Sequence, residues 1–309
     1  MSHPGWPTDN PVPQPGCTRH PGRVTGLRCN RCNKPYCPEC LREAAVGYQC
    51  VTCVAEGART VRQARTIAGA PLQMTKTRPT VTLSLIAVNV VVFLLTAAQA
   101  GNIAVNYRGS GIFDAFVLFS PLVALGEFER LVGSGFLHIG PLHLAVNMFA
   151  LYIVGREVEI VLGKWRYIAV YGISLLGGSA AVMWMQAAVP TAGASGAVFG
   201  LFGALAIILL RLRQNATGVF VIIGINIFIS VTIPGISLWG HLGGLATGAV
   251  AAAGLLYAPG WISRKGSLTA ERASRIGIIA LASVAIVVLA SIAVRILELR
   301  GLMANIYGA

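Results

Sequence analysis

The residues best suited to chemistry fall into two groups. The first is Ser195, His241, His143 and Asn147, spread through an apolar region in which no Asp or Glu sits in the middle of any long apolar stretch. A serine hydroxyl becomes a nucleophile when a neighbouring imidazole takes its proton, and neutral histidine is a competent base near neutral pH. His143 and Asn147 stand four residues apart, so on a helix they share a face. Both can donate hydrogen bonds to the oxyanion of an acyl-transfer reaction. The Ser195 backbone N–H is a further donor if Ser195 opens a helix, because the amides of a first turn lack intrahelical partners. With no carboxylate at hand to orient the base, the arrangement expected is a Ser–His dyad.

The second group contains all seven cysteines. The pattern runs Cys17-x2-His20-x8-Cys29-x2-Cys32-x4-Cys37-x2-Cys40-x9-Cys50-x2-Cys53. Each two-residue gap lets both donors of a pair face one ion, and the eight donors suffice for two tetrahedral Zn2+ sites. Residues 17–54 are too few to bury a useful core, so metal is the expected staple, structural and not catalytic. Disulfides are disfavoured because cytoplasmic thiols stay reduced. Spacing alone admits a sequential pairing of donors (first four, last four) as well as an interleaved one.

The elements that must position these groups follow from composition. The chain has 309 residues, of which 55% are hydrophobic and 11% charged, with mean hydropathy +0.70. Soluble domains carry about 25% charged residues. A soluble globule would lack the polar surface it needs, and a disordered chain has the opposite composition. The class implied is an all-α polytopic membrane protein. Residues 1–16 read as a disordered Pro-rich tail, 17–54 as the zinc-binding module and 55–80 as a basic linker lying against anionic headgroups. Residues 81–257 hold a six-helix core, 258–275 a cytoplasmic loop, 276–297 a seventh transmembrane helix and 298–309 a tail. Apolar stretches near 81–99, 141–161, 166–188, 195–211, 217–234, 238–257 and 276–297 are the expected spans. Residues 101–140 are broken by Gly and Pro and are expected to lie in the interface. No apolar run occurs in residues 1–30, so no cleavable leader is expected there.

With seven spans and a cytoplasmic N-terminus, only Arg108, Arg130, Arg295 and Arg300 of the 24 Lys and Arg lie on the outer side. That distribution favours a multi-pass protein of the cell membrane with its C-terminus outside. It also directs the net charge of +13 toward the lipid bilayer as partner, and not toward nucleic acid. Spans two, four and six then run outside to inside. His143, Asn147, Ser195 and His241 accordingly share one depth in the outer half. Gly196 and Gly200 on span four, with Gly240, Gly244 and Gly248 on span six, form small-residue stripes that let two helix backbones approach and bring hydroxyl to imidazole. A transporter is disfavoured by the missing intramembrane carboxylates and the lack of an inverted repeat.

These residues resemble the core of the rhomboid intramembrane serine proteases. The resemblance is carried by Gly-Phe-Leu-His138-Ile-Gly-Pro-Leu-His143-Leu-Ala-Val-Asn147, by Gly193-Ala-Ser195-Gly196 and by His241-Leu-Gly-Gly244-Leu-Ala-Thr-Gly248. It implies that Ser195 is the nucleophile and His241 the base, with His143, Asn147 and the Ser195 amide as the oxyanion hole. Gly244 and Gly248 fill the family's helix-contact motif. Arg130 matches an arginine of the first outer loop, and Glu159 a structural acidic residue after span two. The substrates implied are single-pass membrane proteins, cut near the outer end of a helix, and the family's gate involves span five. The chain departs from the family at Glu129, where Trp is usual, and at Phe199, where many members have a Tyr against the histidine. Inactive relatives lack the serine or the histidine, whereas this chain keeps both, so an enzyme is favoured over a silent membrane-helix binder. The cysteine pattern separately resembles B-box-type zinc modules, whose ligands interleave. That implies Cys17, His20, Cys37 and Cys40 at one ion and Cys29, Cys32, Cys50 and Cys53 at the other. Separately, a closed site of this kind is expected to serve docking or regulation, with a cytoplasmic protein as partner.

Overall fold

The structure, a computed structural model, describes residues 14–60, 65–69, 78–262 and 269–307. Most of the expected Pro-rich tail, much of the linker 55–80 and the middle of the loop 258–275 lie outside the described residues. The chain divides into two compact units, Met1–Gln63 and Ala64–Ala309.

The first unit contains an antiparallel hairpin, β1 (Leu41–Glu43) and β2 (Tyr48–Cys50), in the register Leu41↔Cys50. Gly47 turns the chain with φ 66°. Helix α1 (Val51–Thr60) follows directly and carries Cys53. The buried cluster is six cysteines with Tyr36 and Leu41. Its interior is therefore made chiefly of thiols, and the hydrophobic effect has little to act on.

The named elements of the second unit are all helices. Helix α2 (Thr80–Ala100) is followed by short helices α3 (Gly111–Phe116), α4 (Ser120–Leu125) and α5 (Arg130–Gly133). Next come α6 (Gly140–Ala150), a π-helical turn over Leu151–Gly155 and α7 (Arg156–Leu162). Helices α8 (Lys164–Met185), α9 (Ser195–Arg211), α10 (Thr217–Thr232), α11 (Leu238–Ile262) and α12 (Ala270–Tyr307) complete the unit.

Its solvent is lipid. The buried residues of α2 are Thr82, Asn89, Phe93 and Thr96, while Leu83, Val88, Val91, Leu94 and Leu95 are exposed. Polar groups face inward and aliphatic ones outward, as a hydrocarbon surround requires. Among the described residues four helices, α2, α8, α11 and α12, are long and apolar enough to cross a membrane. A fifth is counted if Arg130–Phe136 and Gly140–Leu162, bent by 93° at the break between them, are taken as one span. The seven expected spans thus include two that are short: α9 has 17 residues and α10 has 16. At 1.5 Å per residue they reach about 25 Å, short of the ~30 Å of hydrocarbon. Helix α9 tolerates this because it is wrapped by protein, with every residue from Ala197 to Ala204 buried. Its ends need not match the bilayer thickness. The seventh helix outruns its expected bounds, because the polar residues at either end of the apolar stretch are still good helix formers.

Two polar contacts hold the frame. The Glu159 carboxylate accepts from the backbone N–H groups of Val81 (3.0 Å) and Thr82 (2.8 Å), capping α2 with a negative charge. The buried Arg130 donates to the carbonyls of Asp114 (2.6 Å) and Val117 (2.9 Å) and pairs with Glu127. Arg130 thereby anchors the segment between α2 and α6 without a tryptophan at the exposed Glu129.

The glycines decide how closely α8, α9 and α11 approach. A Cβ on Gly178 would lie 2.9 Å from the Gly240 carbonyl oxygen, and one on Gly196 3.2 Å from the same atom. A Cβ on Gly244 would overlap the Gly196 carbonyl, and one on Gly248 the Gly200 carbonyl. The obstacle in each case is helix backbone, which cannot swing aside as a side chain can. Gly244→Val is therefore expected to destabilise the unit by at least ~3 kcal/mol, the upper range for overpacking. A thermal melt in detergent reads this. An unchanged melting temperature would contradict the close approach of α9 and α11.

Candidate active site and metal-ligand clusters

Ser195 is the first residue of α9, reached through Gly193 at φ 137°. That backbone favours glycine, and it turns the incoming loop into the helix. The loop is tied to the segment between α2 and α6. Leu118 and Thr191 exchange backbone hydrogen bonds of 3.0 and 2.9 Å, and Gly193 N–H donates to the Ser134 carbonyl at 2.9 Å. Because α9 is shorter than the hydrocarbon is thick, a serine at its N-terminus sits below the bilayer surface when the other end reaches its own interface. Ser195 itself is partly exposed.

His241 lies in the first turn of α11. Ser237 starts that helix by accepting from Gly240 N–H (3.1 Å), and its hydroxyl donates to Gln186 at the end of α8 (2.6 Å). The His241 ring stacks on Phe199, with centroids 4.1 Å apart and planes at 7°. Phe199 is one turn after Ser195 on the same face of α9. The stack holds the imidazole over the face that begins with Ser195. Among the described residues no hydrogen bond joins Ser195 Oγ to His241. Such bonds are long in substrate-free sites and tighten when substrate arrives.

His143 approaches from α6. Its Nδ1 accepts from Ile139 N–H at 3.3 Å. A neutral imidazole accepting at Nδ1 carries its proton on Nε2, as an oxyanion donor must. A Cβ on Gly193 would lie 3.0 Å from His143 Nε2 and 3.6 Å from Ser195 Oγ, so those two atoms border one small space. Asn147 is on the next turn and is buried, but its amide N–H donates to the His143 carbonyl at 3.0 Å. One of its two N–H donors is thereby occupied. His138 packs its ring 5.1 Å from that of His143 and is fully buried. The structure thus brings Ser195 and His143 to one small space, with Asn147 adjacent and partly engaged, and stacks His241 on Phe199 one turn along α9.

One neighbour was not signalled by any motif. Ser230 of α10 places its hydroxyl 2.7 Å from His241 Nδ1. In sequence it is a lone serine in a run of aliphatic residues, and only the packing of α10 on α11 shows what it touches.

In the first unit the eight metal-type donors form two quartets, Cys17/His20/Cys37/Cys40 and Cys29/Cys32/Cys50/Cys53, each within 4.8 Å. The grouping is interleaved, and all seven cysteines are free thiols. His20 Nδ1 lies 3.5 Å from the Sγ atoms of Cys37 and Cys40 and 3.9 Å from that of Cys17. Cys32 and Cys50 Sγ are 3.9 Å apart. A tetrahedron with metal–sulfur bonds of ~2.3 Å and a metal–nitrogen bond of ~2.0 Å has edges of about 3.5–3.8 Å. Both quartets could hold a metal ion. Backbone amides point at the sulfurs, as from Cys50 to Cys29 Sγ (3.2 Å) and from Cys53 to Cys50 Sγ (3.4 Å). Burial would raise the Cys17 thiol, but the amides of Cys37, Arg19 and His20 outweigh it and hold it down to about 6. Cys29 is held down to about 6 in the same way, by the amides of Cys32, Cys50 and Arg31. Burial and the neighbouring thiols push Cys40 up to about 11 and Cys53 up to about 12. Cys17 and Cys29 are thus poised to ionise, hydrogen bonds to Cys53 and Tyr36 hold Cys50 down as well, and Cys40 and Cys53 need a nearby cation to do so.

Residues 125–258 match the Rhomboid domain. The chain is 36% identical to Rhomboid protease GluP of Bacillus subtilis, over 66% of this chain and 39% of the relative. It is 34% identical to RHOMBOID-like protein 4 of Arabidopsis thaliana, over 45% of this chain and 37% of the relative. It is 31% identical to Rhomboid-type serine protease 2 of Emericella nidulans, over 40% of this chain and 26% of the relative. The chain therefore spans well under half the length of these relatives.

Proposed function

This chain belongs to the rhomboid family, and we propose that it is a serine endopeptidase that cleaves transmembrane segments of single-pass membrane proteins. The observation that carries the reading is the His241 ring stacked on Phe199, one turn from Ser195 on the same face of α9. In the reaction Ser195 Oγ attacks the carbonyl carbon of the scissile peptide while His241 Nε2 takes its proton. The oxyanion is met by the Ser195 N–H, free at the helix start, by His143 Nε2–H and by the remaining N–H of Asn147. His241 returns the proton to the leaving nitrogen as the C–N bond breaks. The same imidazole then deprotonates a water that attacks the acyl ester and frees Ser195.

The quartets in residues 17–53 are read as two structural Zn2+ sites, because thiolate and imidazole donors at tetrahedral spacing suit zinc. None of the dyad or oxyanion residues comes from that segment, so the metal takes no part in the acyl transfer. The module is read as a docking element for a cytoplasmic protein. The distribution of Lys and Arg supports a cytoplasmic N-terminus and an outer C-terminus, with the cut near the outer leaflet.

A fluorophosphonate, which traps serine nucleophiles, tests the reading in detergent. Wild type is expected to gain one phosphonyl mass on the peptide containing Ser195. His143→Ala is expected to slow labelling about 100-fold, as for loss of one oxyanion donor. Asn147→Ala is expected to slow it less, because part of its amide is spent on the His143 carbonyl. Labelling at a different serine, or none at all, would contradict the proposal.

A further inference from the structure

We infer that Ser230 is the positioning residue of the dyad: its hydroxyl oxygen accepts the Nδ1 proton of His241 and leaves Nε2 bare to act on Ser195. The inference rests on the dyad reading above and adds the element that replaces the missing carboxylate.

Proton bookkeeping carries it. Ser230 Oγ lies 2.7 Å from His241 Nδ1 and 2.6 Å from the carbonyl oxygen of Asn226, one turn earlier on α10. A hydroxyl has one proton, and a carbonyl oxygen has none to offer. Donating to Asn226 leaves Ser230 only lone pairs to present to the imidazole. The neutral ring must then hold its proton on Nδ1, and the lone pair sits on Nε2. The opposite tautomer would forfeit the 2.6 Å bond to Asn226. It would also put a proton where the base needs a lone pair. Among the described residues no other group hydrogen bonds to the His241 ring.

The surroundings fit this role. Ser230 and His241 are 6% and 7% exposed, so water does not compete for the bond. Helix α10 buries only Ile223 and Ser230, while Phe220, Val221, Ile225, Phe228 and Val231 are exposed. A buried hydroxyl on an otherwise lipid-facing helix is costly unless partnered, and its partner is the base. When His241 takes the Ser195 proton, the imidazolium keeps an acceptor on one nitrogen and an aromatic face beneath it in Phe199. A neutral acceptor is weaker than the aspartate of a triad, but it orients the ring without placing a charge in the bilayer.

Threonine and valine have the same shape and differ only in the hydroxyl, so they separate acceptor from packing. Full-length wild type, Ser230→Thr, Ser230→Val and Ser195→Ala are assayed in detergent on a transmembrane substrate, with kcat, KM and melting temperature recorded. Threonine makes the same bond to the carbonyl one turn back and keeps an acceptor, so Ser230→Thr is expected to stay near wild type. Ser230→Val is expected to lose kcat about tenfold, the value of one neutral hydrogen bond, with KM unchanged. Equal kcat for the Thr and Val variants, whatever their melting temperatures, would overturn the inference while leaving the dyad intact. Wild type that cleaves no better than Ser195→Ala would instead overturn the function reading. The inference is then decided by nitrogen-15 spectra of histidine-labelled protein. His241 is expected as the Nδ1–H tautomer, and an Nε2–H tautomer would overturn the inference with or without cleavage.

Discussion

Ser195→Ala and His241→Ala are each expected to remove cleavage by at least ~10^4-fold, and the double variant is expected to lose no more than either single one. The reason lies in how the two groups depend on each other. A serine hydroxyl without its base keeps its proton, and an imidazole without its serine has no bond to make. Either deletion removes the covalent route, so the second has nothing left to take away. The variants should still fold. Ser195 is partly exposed at a helix start, and truncating it leaves the glycine contacts of α9 untouched. His241→Ala vacates the space against Phe199 and should lower the melting temperature more than Ser195→Ala does. Substrate binding, measured separately, should survive in Ser195→Ala. Additive losses in the double variant would mean that the two residues act in different steps.

Stripping metal from the first unit is expected to unfold it outright. Its buried cluster is six thiols with Tyr36 and Leu41, so little apolar burial opposes the chain entropy. Structural zinc in such modules carries ~10–16 kcal/mol of apparent binding free energy, which here becomes folding free energy. The purified protein should hold two zinc ions per chain by elemental analysis. A paired substitution, Cys29→Ser with Cys32→Ser, should remove one ion and expose residues 17–53 to protease. Cleavage by the Ser195 site should persist, since no dyad or oxyanion residue belongs to that segment. A metal-free module that resists protease, or loss of cleavage while the membrane unit stays folded, would contradict this account.

What could be read from residues alone depended on local pattern. The cysteine pairs at two-residue gaps and the helix-facing pair His143 and Asn147 are short-range signals, and the closeness within each pair follows from spacing, whereas the interleaving of the cysteine pairs does not. Gly196, Gly200, Gly244 and Gly248 were legible as contacts because a missing Cβ has few other uses in an apolar helix. Ser230 was not legible. It meets His241 only through the packing of two helices across a turn, and nothing in its own segment marks it. The engagement of Asn147 by its own helix was hidden for a related reason, because a rotamer decides it. The length of α9 was legible, since the apolar stretch 195–211 has the helix's own bounds, but what makes so short a helix tolerable was not. The apolar run predicts a span, but burial within the bundle lets it stop short.

The most direct test is to reconstitute wild type and Ser195→Ala in liposomes with a single-pass membrane substrate and read the products by mass. The account predicts two fragments with wild type, cut in the half of the substrate helix nearest the outer leaflet, and intact substrate with Ser195→Ala. Intact substrate with both proteins, each folded and able to bind the helix, would contradict it and mark the chain as a membrane-helix binder that does not cut.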